Sequence, residues 1–120
     1  MRVERSLQRK LCVDGSLMKE FVLDEPITPD FAEYLRNFGE VKTLSLMGKS
    51  FLSFEKPHFI SVKGVLGEAT VEVRYAARVH DLTADLFHLL LFYYTNGKEV
   101  EKVKEIEGAM WRAIRVRLGV

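Results

Sequence analysis

Up to Tyr75 most apolar residues alternate with polar ones; beyond it they recur at helical spacing. From Val3 to Val13 the odd positions carry Val3, Leu7, Leu11 and Val13, interrupted by Arg5 and Arg9, while Glu4, Ser6, Gln8, Lys10 and Cys12 fall between them. That imperfect period of two predicts a strand with an exposed start. Asp14-Gly15 predicts a two-residue turn, because Gly accepts a positive φ, and Leu17 to Leu23 then forms the return strand of a β-hairpin.

Pro26-Ile27-Thr28-Pro29-Asp30 announces a helix, with Thr28 as N-cap and Pro29 at the first helical position, where a missing N–H is harmless. Phe31, Tyr34, Leu35 and Phe38 follow at helical spacing, and Gly39 is expected to close the helix as its C′ residue. Four strand segments come next, broken at Gly48-Lys49, Lys56-Pro57 and Gly67-Glu68. Leu44 and Leu46, Leu52 and Phe54, Ile60 and Val62, then Val71, Val73 and Tyr75 are their apolar faces, expected to meet the core. The intervening Lys42, Ser53, Glu55, Lys63, Glu72 and Arg74 are expected to meet water, as on a half-covered antiparallel sheet.

The chain ends in two predicted helices. Asp81 is read as the N-cap of a helix from Leu82 to about Tyr94, stopped by Asn96-Gly97; the last runs from about Lys98 to Leu118 with Val103, Ile106, Met110, Ile114 and Leu118 on one stripe. The order ββ-α-ββββ-α-α predicts an α+β, two-layer sandwich in which an antiparallel sheet of about six strands is covered on one face by helices. No repeat or linker divides residues 1–120, so one domain is expected.

Between Leu86 and Tyr94 His88 stands among apolar and aromatic residues, so a single covering layer does not hide every side of this helix. Its excess surface is covered by the last helix, by a second copy of the chain, or by another partner or an apolar ligand. The residues expected at such an interface are Phe87, Leu91, Tyr94 and Trp111. Charging Phe87 or Leu91 is expected to abolish association and leave a folded monomer.

Composition narrows the field. Eighteen basic and seventeen acidic residues give a formal charge of +1, which argues against a surface committed to nucleic acid or anionic lipid. One cysteine, Cys12, excludes an internal disulfide and reads as a structural thiol; with no secretory or membrane-spanning run, the chain is expected in the cytoplasm. Few side-chain amides beside abundant Glu, Lys and Arg resemble a thermophilic composition.

The candidate chemistry is sparse. Asp81, Asp85 and His88 stand at i, i+4 and i+7, a spacing that would place two carboxylates and an imidazole on one side of the second helix as metal ligands; capping and solvation explain the same residues. His58 and His80 read as loop residues, and no phosphate-cradling glycine loop or HExxH motif is present, so no catalytic residue and no cofactor are expected. Arg112, Arg115 and Arg117, with Arg2, Arg5, Arg9 and Lys10, offer an anion-binding or nucleic-acid patch, although basic residues at a helix C-terminus also complement its dipole. The expected role is therefore self-association, foremost as a homodimer, or small-ligand binding; a small metal-dependent enzyme and a nucleic-acid binder are the alternatives.

Overall fold

The computed structural model describes all residues 1–120. Its elements are β1 (Val3–Leu11), β2 (Leu17–Leu23), α1 (Pro29–Leu35), β3 (Glu40–Leu46), β4 (Lys49–Lys56), β5 (Ile60–Val65), β6 (Thr70–Tyr75), α2 (Leu86–Thr95) and α3 (Val100–Leu118). All strand pairs are antiparallel in one sheet of order β1-β2-β6-β5-β4-β3. The expected α+β architecture and element order are therefore present. No helix is long and apolar enough to cross a membrane.

One sheet face carries the core. Phe21, Val71, Val73, Tyr75, Ile60, Val62, Leu52, Phe54 and Val41 are buried beneath the helices, at most 7% exposed. The fully buried Phe31 and Leu35 of α1, Leu86, Phe87, Leu90 and Leu91 of α2, and Val103 and Ile114 of α3 face them. Thr28 caps α1 by accepting a hydrogen bond from the Phe31 N–H at 3.2 Å, and Pro29 opens the helix. The buried Tyr34 hydroxyl donates to the Leu90 carbonyl at 2.8 Å, tying α1 to α2. Burial drives the Tyr34 pKa well above the phenol range.

Four local readings change. The hairpin turn is a five-residue loop: Cys12 N–H donates to Ser16 O and Gly15 N–H to Cys12 O, with Gly15 at φ +87°. β1 does not keep one face, because register shifts between Val3 and Arg5 and between Ser6 and Gln8 reverse its alternation, and Leu7 and Leu11 are exposed. Gly39 is not a left-handed cap; a Cβ there would lie 2.5 Å from Glu55 O and 2.8 Å from the Phe54 ring, so the glycine permits close approach to β4. Finally, α2 begins at Leu86. Residues 76–85 form turns in which Arg78 has φ +71° and the buried Thr83 hydroxyl donates to the Val79 carbonyl, an alternative to the helical ladder.

Candidate functional site

Leu44 and Leu46 do not reach the core. Leu44 is opposite Phe51, Thr43 is opposite the buried Leu52, and Val41 is opposite the buried Phe54. A strand alternates faces at every residue, so Leu44, Leu46 and Phe51 point to the side that no helix covers, at 63%, 55% and 40% exposure. Phe51 is in turn opposite Val65. Val22 and Thr70, also opposite one another, continue this level across the sheet. An apolar band therefore runs from Leu44 on β3 to Val22 on β2, with Thr70 within it and Arg5 of β1 at its end.

Two charged rows lie beside it. The first reads Gln8, Glu20, Glu72, Lys63, Ser53, Lys42 from β1 to β3. The second, toward the other end of the strands, reads Lys10, Met18, Arg74, Ser61, Glu55, Glu40. Acid stands on the β1 side of the first row and base on its β3 side; in the second row the sense is reversed. Glu20 and Glu72 are direct cross-strand neighbours, and Glu72 is paired within the chain with Arg74 at 3.4 Å and stands opposite Lys63. A shallow hollow of about 580 Å³ runs over Leu44, Phe51, Val65, Lys63 and Glu72.

The covered face has a different site. Where β4 enters the β5 turn, Lys56 extends beneath α3. Its ammonium donates to Phe38 O at 2.9 Å, lies 3.3 Å from Glu107 Oε1 and sits 4.8 Å from the Phe59 ring centroid. The two side chains are 18% and 11% exposed, and Glu107 Oε1 makes an ion pair without any hydrogen bond. Burial raises the Glu107 pKa against the opposing pull of Lys56. These groups line a cleft of about 470 Å³ with Trp111, Phe59, Gly39 and Gly108.

The metal candidates do not assemble. With α2 starting at Leu86, Asp81 is in the preceding turns, where its carboxylate accepts a hydrogen bond from Arg117, which holds its pKa below the usual range. Asp85 occupies the N-cap position without capping a backbone N–H, and His88 is exposed on the helix. Asp85 and His88 border a separate hollow of about 620 Å³ between the start of β1 and α2. No group of three His, Cys, Asp or Glu residues is disposed to hold a metal ion.

The interface candidates also divide. Phe87 and Leu91, at 0% and 1% exposure, belong to the chain's own core, and Phe87 stacks on Phe21 with centroids 5.9 Å apart. They offer no surface to a partner; the outward apolar residue of α2 is Phe92, at 54% exposure. Tyr94 packs against Phe31 and Tyr34 and donates to Asp30 at 2.7 Å, while Trp111 leans on Phe59. Among the basic candidates Arg117 is engaged with Asp81 and the Arg78 carbonyl, whereas Arg112 and Arg115 are exposed.

Sequence reading missed both arrangements. The apolar band depends on register, since the turn Met47-Gly48 decides which residue faces which, and Lys56 and Glu107 are 51 positions apart. No family model, curated protein or solved structure matches this chain.

Proposed function

We propose that the protein acts by self-association: two copies pack face to face through the open sheet, forming a homodimer. The observation that carries this reading is the apolar band Val22, Val65, Phe51 and Leu44, exposed at Phe51 and Leu44 and half-buried at the two valines, on a sheet face without a covering layer. A face of six strands about 4.8 Å apart and six residues about 3.3 Å apart measures on the order of 600 Å². Two such faces supply roughly 1,200 Å², the lower bound of stable specific interfaces.

The charges favour a second copy over an unrelated partner. A two-fold axis parallel to the strands and between β5 and β6 exchanges β6 with β5, β2 with β4 and β1 with β3 of the partner. Glu72 then faces the partner's Lys63, Lys10 faces the partner's Glu40, and Val22 faces the partner's Phe51. Within each row the acidic and basic ends lie on opposite sides of the axis, and this makes the face complementary to itself. Such pairs fix partner and register, while the apolar band supplies the affinity. The single thiol, Cys12, agrees with a cytoplasmic home for this dimer.

Light scattering coupled to size exclusion, at two protein concentrations, tests the reading. A mass of twice 13.8 kDa is expected for the wild type. Phe51→Glu and Phe51→Arg, both outside the core, are expected to give monomers with unchanged circular dichroism. A wild-type monomer at both concentrations, or dimers that survive both substitutions, would remove the sheet face as the interface.

A further inference from the structure

We propose that Asn96 is a self-modification site, whose side-chain amide is lost to attack by the Gly97 backbone nitrogen when a clamp made by Asp30 on both flanks of the turn opens. The argument begins with the rarity of the residue. Only three side-chain amides, Gln8, Asn37 and Asn96, occur in 120 residues. Of these only Asn96 precedes a glycine, which has no Cβ to obstruct the approach of its nitrogen. Packing does not require an amide there. Asn96 follows α2 with φ −107°, so there is no left-handed backbone for asparagine to relieve. Its Nδ2 donates to Phe92 O at 2.8 Å, but that carbonyl already accepts the Asn96 backbone N–H at 3.1 Å.

The reaction needs only these two residues, hydroxide and water. Hydroxide takes the Gly97 N–H proton, the nitrogen bonds to Asn96 Cγ, and the Cγ–Nδ2 bond breaks as the leaving nitrogen takes protons from water and departs as ammonia. Water then opens the cyclic imide at either carbonyl, giving aspartate or isoaspartate. In the closed turn the ring cannot form. At a ψ of 60° the Gly97 nitrogen lies anti to Asn96 Cβ, so the Cα–C bond must rotate before the nitrogen reaches Cγ. Asp30 resists that rotation. Its Oδ2 accepts from the Tyr94 hydroxyl and from the Lys98 ammonium, each at 2.7 Å, so one carboxylate of α1 holds the chain on either side of Asn96-Gly97. Lys98 also lies 5.3 Å from the centroid of the Tyr94 ring, and its φ of +50° is uncommon for a lysine. Between these holds Gly97 makes no backbone hydrogen bond of its own, and both Asn96 and Gly97 are exposed to water. Local opening of the clamp is therefore the step that admits the reaction. The product places a negative charge at the C-terminal end of α2, where the helix dipole disfavours one.

Asn37 is an internal control. Its Nδ2 also donates to a carbonyl, Tyr34 O at 2.9 Å, but the nitrogen that would attack it belongs to the buried Phe38 and donates to Leu35 O at 3.0 Å. The test incubates the purified chain at mildly alkaline pH and follows both asparagines in one sample, by peptide mass mapping and isoaspartyl methyltransferase labelling. Asn96 is expected to convert while Asn37 stays intact, and to convert more slowly than in a free peptide of residues 92–100, which has no Asp30. Asp30→Ala is expected to raise the rate at Asn96 several-fold. Tyr94→Phe, which removes one of the two bonds and keeps the ring, is expected to raise it less, with Asn37 intact in both variants because only the turn has opened. The proposal is overturned if Asn96 does not convert, if Asn37 keeps pace with it, if the folded chain converts as fast as the peptide, or if neither variant changes the rate. None of these readouts involves the sheet face, so the two proposals stand or fall separately.

Discussion

At the scale of single residues, two features that the chain conceals become measurable. Gly39 reads in sequence as a helix stop, because a glycine after an amphipathic run ordinarily caps it. In the fold its importance is the missing Cβ, which would enter the Glu55 carbonyl at 2.5 Å. Gly39→Ala must push β4 away from the α1–β3 connection, and overpacking of this kind costs about 1–3 kcal/mol. Urea denaturation should show a lower midpoint at unchanged slope. The buried Glu107 predicts an unusual pH dependence. Its folded pKa is raised above the ordinary value of 4.5, so between the two pKa values the folded chain binds more protons than the unfolded chain. Its contribution to stability is therefore greatest below pH 4.5 and declines as pH rises through the raised pKa, opposite to a salt-bridged surface carboxylate. Glu107→Gln should abolish that decline in a series of urea midpoints, leaving the slope set by groups such as Asp30. Hydrogen bonds from Lys98 and Tyr94 hold the Asp30 pKa low, so its contribution is lost only as pH falls through that lowered value.

At the scale of elements, periodicity located every helix and strand but not always the face each presents. α1 was legible down to its Thr28 cap because capping is a short-range hydrogen bond between neighbours in sequence. The start of α2 was not, because the competing Thr83–Val79 bond and the Arg117–Asp81 pair belong to the folded turns and distant chain. β3 shows a second kind of failure. Leu44 and Leu46 alternate with polar residues as a core-facing strand would, yet alternation says only that they share a face. Pairing with β4 decides which face, and a one-residue difference reverses it. For α2 the consequence is quantitative. Phe87 is fully buried against Phe21, so Phe87→Ala should cost about 3–5 kcal/mol, the range for deleting a core aromatic. Phe92→Ala, on the exposed side of the same helix, should change the unfolding midpoint little. A thermal melt of the two variants distinguishes a core helix from one whose outer face supports the fold.

At the scale of the whole molecule, the arrangement of charge on the open face makes a prediction that no single substitution can imitate. Glu72 and Lys63 are cross-strand neighbours within one chain, and the proposed two-fold axis also sets Glu72 over the partner's Lys63. In a Glu72→Lys variant, two copies would oppose lysine with lysine; in a Lys63→Glu variant they would oppose glutamate with glutamate. Each homodimer should weaken, most clearly at low salt, where exposed charges are least screened. Mixing the variants restores opposite charges at both symmetry-related contacts, because each chain then presents what the other lacks. The two variants are therefore expected to associate with each other in preference to themselves, a population that native mass spectrometry separates if one chain carries an isotopic label. Damage to the monomer fold would weaken the mixture as much as the separate samples. Recovery on mixing depends instead on the geometry between copies, and an interface elsewhere on the molecule would leave both variants as dimeric alone as together.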